Sequence, residues 1–167
     1  MKKILSLLLL VPFLFACQPD NVTTEADSHA HAIHEHDRCH MCGMMITKYP
    51  GPKGQLKLKN VEKNPSFCST RDMFSFLLQP ENARQVTQIW VHDMAATSWD
   101  DPKDEHFIDG KTATYVYGTS RQAVMGSAVA SFSTVNAAEQ FANEYGGAVL
   151  GFDDITIGLL GEGMSHH

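Results

Sequence analysis

Two stretches of this chain repeat one pattern: strand-like runs around a hydroxyl pair and an apolar helical face. Ser69-Thr70 precedes Met73, Phe74, Leu77 and Leu78, and Ser133-Thr134 precedes Ala137, Ala138, Phe141 and Ala142. Those apolar positions recur at helical spacing. A serine or threonine just before them supplies the oxygen that caps a helix N-terminus. Pro80 stops the first helix and Gly146-Gly147 the second, since proline cannot continue a helix and glycine suits the left-handed C-cap. Runs at 44–49, 55–61 and 86–91 read as strands around the first helix, with turns at Pro50-Gly51-Pro52-Lys53-Gly54 and Asn64-Pro65. Runs at 112–117, 128–132 and 148–152 do so around the second. The expected fold is α+β: two tandem ββαβ units from an internal duplication, over residues 39–98 and 99–157.

The first residues stand outside that fold. Lys2 and Lys3 precede an apolar run from Ile4 to Phe15, broken only by Ser6 and Pro12. It is shorter than the roughly 20 residues a membrane-spanning helix needs, so residues 1–16 read as a secretory signal peptide. Leu14-Phe15-Ala16-Cys17 resembles a bacterial lipobox, which makes Cys17 the lipidated first residue of the mature chain. Each buried acyl methylene contributes about 0.8 kcal/mol, so several chains anchor stably where one does not. Gln18 follows Cys17, where aspartate favours inner-membrane retention in some bacteria, and this tilts the expectation toward the outer membrane. Residues 18–37 are polar, with Ile33 their one large aliphatic, and read together with Arg38 as a mobile tether. His29, His31, His34, His36 and His40 crowd its second half and offer a secondary metal-collecting tract. Residues 158–167 are glycine-rich and read as a flexible tail ending in Met164, His166 and His167. Loss of the leader removes two of 13 basic residues and no acidic ones, so eleven face 19 acidic residues, a formal charge of −8. That balance argues against nucleic acid or anionic lipid as a partner.

With Cys17 assigned to lipid, Cys39, Cys42 and Cys68 remain, an odd number that cannot all pair within one molecule. The densest signal is Cys39-His40-Met41-Cys42-Gly43-Met44-Met45: two thiols, one imidazole and three thioethers in seven residues. Thiolate and thioether ligands are soft and select Cu(I) over harder ions. Cys42 and Met44 lie two apart and would share a face of an extended segment, with Gly43 letting the backbone turn close to an ion. Zinc prefers four closed N/S ligands, and Cys39-x-x-Cys42 is a single knuckle. A redox Cys39–Cys42 pair would make the chain a periplasmic thiol-disulfide reductase. A plain structural disulfide with core methionines is the remaining reading. Met73 belongs to the core by its helical position, whereas Met125, beside Gly126, is open to core and ligand readings alike.

Taken in order, Cys17, Cys42-Gly43-Met44, Pro50 to Gln55, Phe67 to Asp72, Trp90-Val91-His92-Asp93, Trp99, Met125-Gly126, Ser131-Phe132 and Gly146-Gly147 resemble the NosL family of nitrous oxide reductase accessory lipoproteins. The resemblance covers essentially the whole mature domain. It implies a fold of two ββαβ units and a periplasm-facing, non-enzymatic lipoprotein that binds one Cu(I). Its implied role is to deliver copper for the copper centres of nitrous oxide reductase. The implied partners are a membrane maturation complex of a periplasmic protein, an ATPase and a permease, and nitrous oxide reductase itself. Carried over by position, the implied ligands are Cys42, Met44 and Met125. Cys39 and His92 stand as further candidates, Cys39 as a second thiolate and His92 from the end of a strand.

Overall fold

A computed structural model describes residues 29–162. Strand β1 (Gly54–Leu58) is followed by β2 (Ser66–Phe67), helix α1 (Thr70–Leu77), the short helix α2 (Pro80–Ala83) and strand β3 (Val86–His92). After a loop come β4 (Phe107–Asp109), β5 (Thr114–Ala123), β6 (Gly126–Phe132), helix α3 (Val135–Tyr145), β7 (Ala148–Leu150) and helix α4 (Ile157–Glu162). The first sheet runs β2-β1-β3-β4 and the second β6-β5-β7, with every pairing antiparallel. In each unit the first strand lies between the second and third, the order an internal duplication would leave. Among the described residues no helix is long and apolar enough to cross a membrane.

Both main helices start as their sequences dictate. Ser69 and Thr134 hold extended backbone, and their hydroxyls accept the N–H of Asp72 (3.0 Å) and of Ala137 (3.3 Å). Gly146, at φ 76°, ends α3 with its N–H on Ala142 O. Side chains on the second sheet alternate between faces, as the strand period requires. Tyr115, Tyr117 and Val129 join the main core with Met73, Phe74, Leu77, Leu56 and Ile89. Val116, Ala128, Ala130 and Phe132 turn the other way, toward Ala138 of α3 and Trp99. The second sheet therefore lies between α1 and α3. Phe74 meets Tyr115 edge-on at 5.1 Å, an arrangement that adds about 0.5–1.5 kcal/mol to the area it buries.

The α+β class holds, and several local expectations change. Residues 44–49 form no strand: one bridge joins Met45 to Arg38, and Ile46–Lys48 is a 3-10 turn. Gly43 (φ 75°) turns the chain just before, so there is too little straight backbone to build a ladder. The hairpin partner of β1 is instead β2, beyond the Asn64-Pro65 turn. Strand β4 falls inside the range assigned to the second unit, yet it extends the first sheet along β3. The expected tether is docked from His31 onward. His31 N–H donates to Gln55 Oε1 (2.9 Å), Gln55 Nε2 donates back to His31 O (2.6 Å), and Ile33 packs on the core. A fully buried glutamine needs partners, and the tether supplies them. The tail is helical through Glu162 as α4, with Leu160 buried in the core. The signal peptide, Cys17, Met164, His166 and His167 lie outside the described residues.

The Ser69 cap is buried and the Thr134 cap exposed. Ser69→Ala is expected to cost about 1–2 kcal/mol, lowering the midpoint of thermal unfolding by about 2–8 °C for a chain of this size. Thr134→Ala should cost less. Differential scanning calorimetry of the two variants checks the ranking.

Candidate metal centre

The soft-donor segment is a closed loop. Cys39 N–H donates to Met44 O (2.8 Å), Gly43 N–H returns to Cys39 O (2.9 Å), and Arg38 Nη1 donates to Gly43 O (3.0 Å). The positive φ of Gly43 makes this closure cheap, a conformation other residues resist. The loop is pinned to β2 by His40 N–H on Ser66 O (2.9 Å), and the His40 ring packs edge-on against Phe76 at 5.1 Å. Cys39 ends up buried beneath the loop and Cys42 exposed on it.

Cys68 meets this loop from the other side. It follows β2 and precedes the Ser69 cap, so the first turn of α1 sets its position. Cys42 Sγ and Cys68 Sγ lie 3.5 Å apart. The Cys68 thiol donates to Asp72 Oδ2 at 3.0 Å, and Cys39 Sγ lies 3.9 Å from the same oxygen. Three sulfurs and one carboxylate oxygen fall within 4.8 Å of one another, and all three cysteines are free. Burial raises the Asp72 carboxyl above its usual range. The Cys68 thiol is held protonated, first by the hydrogen bond it gives Cys39, then by burial and its bond to Asp72. The same bond from Cys68 draws Cys39 down to about 4, whereas burial raises Cys42.

Met125 lines a cavity that Cys42 also lines. It sits at the turn between β5 and β6, where Arg71 Nη1 donates to Met125 O (2.6 Å) and Nη2 to Leu160 O (2.7 Å). Gly126 has φ 107°, and a Cβ there would stand 2.6 Å from Arg71 Nη1, so the Met-Gly pair needs its glycine. Met41, Cys42, Arg71, Asp72, Met125 and Leu160 line one open cavity of about 480 Å³. Met41 and Met125 are each about half exposed there (51% and 52%).

The structure thus brings Cys42 and Met125 together and adds Met41, Cys68 and Asp72. Met44 is half-buried and does not line this cavity, because the loop turns at Gly43 and the two-residue alternation of an extended segment is lost. His92 is placed elsewhere. It is 1% exposed, its Nδ1 accepts Lys53 N–H (3.2 Å), and its Nε2 lies 3.2 Å from Asp104 Oδ1. With both ring nitrogens engaged, it has no lone pair facing the sulfurs. Asp72 was missed from sequence. Its signal is the third position after a Ser cap, where a carboxylate ordinarily turns back to the helix end; here it faces Cys68 instead.

Comparison with known proteins agrees with this frame. The sequence profile of the NosL family matches residues 30–160. The copper-binding lipoprotein NosL of Stutzerimonas stutzeri is 46% identical over 134 residues, covering 80% of this chain and 70% of the relative. The protein of the same description from Achromobacter cycloclastes is 36% identical over 124 residues, covering 72% of this chain and 64% of its own length. The crystal structure of the copper chaperone NosL from Shewanella denitrificans superposes with a TM-score of 0.77 at 48% identity, covering 78% of this chain and 98% of that one. The solution structure of apo-NosL from Achromobacter cycloclastes gives a TM-score of 0.50 at 32% identity, covering 64% of this chain and 87% of that one. A profile matched across nearly the whole described domain, with relatives this similar, means that the chain belongs to the NosL family.

Proposed function

We propose that this chain is a lipid-anchored, non-enzymatic Cu(I) carrier facing the periplasm, tethered through Cys17. Its cargo goes to the assembly of the copper centres of nitrous oxide reductase, through the membrane maturation complex or the reductase itself. The observation that carries the reading is the meeting of Cys42 and Met125, from opposite halves of the chain, at one open cavity. A thiolate and a thioether are a soft pair suited to Cu(I). Met44, the third ligand implied by family position, joins by rotating its flexible side chain. Copper on this rim stays accessible on one side. An acceptor adds its own ligand, a mixed site forms, and Cys42 and the methionines detach in turn.

The contact between Cys42 and Cys68 sulfurs favours one other reading, a thiol-disulfide reductase. In the form that uses Cys39 and Cys42, Cys39→Ser abolishes reductase activity and leaves rim copper bound.

The test is an anaerobic Cu(I) titration of the reduced full-length chain in detergent against a chromophoric competitor. Tight binding at the rim is expected to vanish in Cys42→Ser. In Met125→Leu, which removes the sulfur and keeps the volume, it should weaken at least about tenfold, ~1.4 kcal/mol. Wild-type protein that competes for no Cu(I) would sink the carrier reading.

Gly126→Ala leaves every sulfur in place and pushes a methyl into the Arg71 guanidinium. A cost of about 1–3 kcal/mol in stability is expected, together with weaker rim copper, because Arg71 positions the Met125 turn. Thermal unfolding and the same titration check both effects.

A further inference from the structure

A second cavity shares the soft-donor loop with the copper rim. Its volume is also about 480 Å³, and its walls include Arg38, His40, Leu58, Val61, Lys63 and Asn64. Met41 and Cys42, next to His40 in sequence, line the rim cavity instead.

Asn64 is the anomaly in this wall. It is 3% exposed, and among the described residues neither its amide nitrogen nor its amide oxygen has a hydrogen-bond partner. Buried polar groups are almost always paired, because leaving one dry forfeits the hydrogen bonds it made with water. An asparagine amide offers donors on nitrogen and an acceptor on oxygen, so its full partner carries both an acceptor and a donor. A peptide group carries both. Turning the short Asn64 side chain toward the cavity breaks no hydrogen bond, since the amide makes none.

The charges add a second requirement. Lys63 Nζ is taken by Asp37 Oδ1 (2.9 Å), which holds that carboxyl below its usual range, and His36 Nε2 lies 3.0 Å from Glu35 Oε1. Arg38 is exposed and gives Nη1 to Gly43 O (3.0 Å), and among the described residues no carboxylate pairs with it. A guanidinium keeps further N–H groups in its planar fork, the shape that grips a carboxylate with two parallel bonds. The chain is acidic as a whole, but salt screens exposed charges beyond about 8 Å, and in this wall Arg38 and Lys63 face only Asp37. Leu58 and Val61 add an apolar surface, with Val61 39% exposed.

We propose that this cavity grips the C-terminal end of a partner polypeptide. The terminal carboxylate takes the remaining N–H groups of Arg38. Asn64 turns its amide into the cavity and pairs with the last peptide group, donating to a carbonyl and accepting from the N–H. An apolar last side chain lies on Leu58 and Val61. A cavity of this volume has room for about two or three residues. A chain end meets both requirements within one residue, because its carboxylate and its peptide N–H share an α-carbon. Capture of a terminal carboxylate by such groups is a recurring mode of peptide recognition. Held there, the partner lies against the loop that carries Cys42 and leaves the rim open for metal exchange.

The test is isothermal titration of the reduced full-length chain in detergent with three N-acetylated tripeptides that end in leucine. One has a free C-terminal carboxylate, one is amidated, and one is amidated with an internal glutamate. The free-ended peptide should bind, and amidation should weaken it at least about tenfold. Asn64→Leu should weaken it by a similar factor and unfold at or above the wild-type temperature, because no protein hydrogen bond is lost. Arg38→Lys, which keeps the charge and loses the fork, should also weaken it. The Cu(I) titration of Asn64→Leu should match wild type, so failure of this site and failure of the carrier reading are told apart. No binding of the free-ended peptide overturns the proposal, as does equal binding of the amidated one or tighter binding of the one with an internal glutamate. So does an Asn64→Leu chain that binds the peptide like wild type or unfolds well below it.

Discussion

Arg71 donates from its buried guanidinium to Met125 O and to Leu160 O, and through those two bonds one side chain joins three elements. It belongs to the first turn of α1, Met125 to the turn between β5 and β6, and Leu160 to α4. Hydrogen bonds from a charged donor contribute about 1.5–3 kcal/mol each, and a guanidinium left unpaired in this position would cost more than they give. The neighbouring Thr70 hydroxyl bonds Val129 O on β6, so two consecutive residues fasten the helix to the second sheet. On the other flank, Asp72 takes the Cys68 thiol. A single helical turn thus sets the sulfur cluster on one side and the methionine turn on the other.

Charge at the centre follows from the same turn. Arg71, Asp72 and Lys53 are all nearly buried and lie around three thiols. In low dielectric none of these charges is stable alone, and each is tolerable because an opposite charge or a shared proton lies close. The proton between Cys68 and its neighbours is the adjustable element. Lys53 feels the cluster too, with its pKa pulled down to about 8 by burial and supported against a further fall by Cys68 and Cys39. A metal that replaces thiol protons with its own charge alters this balance.

Much of this was legible in the residues, because caps and apolar periodicity are local. Ser69 and Thr134 announce their helices, Gly146 ends one, and the soft donors cluster within the short segment 39–45. What was hidden is set by distant partners. The 29–37 segment reads as solvated because its anchor, Gln55, sits in another element. Helix α4 looks like a glycine-rich tail until Arg71 and the core take up Leu160. His92 reads as a candidate ligand at a strand end because nothing nearby in sequence reveals that Lys53 N–H and Asp104 will claim its two nitrogens. Met44 sits half-buried off the cavity because Gly43 bends a segment that the two-residue alternation treats as extended. Asp72 and Cys68 join the site only once the end of β2 is laid against the cysteine loop, which no spacing within either segment states.

The docking of residues 31–37 on the first sheet also sets a leash length. Were the whole stretch up to Arg38 free, a domain held by the lipid proposed on Cys17 would hang on 21 residue steps and could stand up to about 76 Å from the bilayer. With the chain fastened at His31, fourteen steps remain, a reach of at most about 50 Å. The volume the domain can sweep shrinks roughly with the cube of that reach. A lipidated protein held this close meets membrane-embedded acceptors at a raised local concentration, and it cannot follow a soluble one far into the surrounding space.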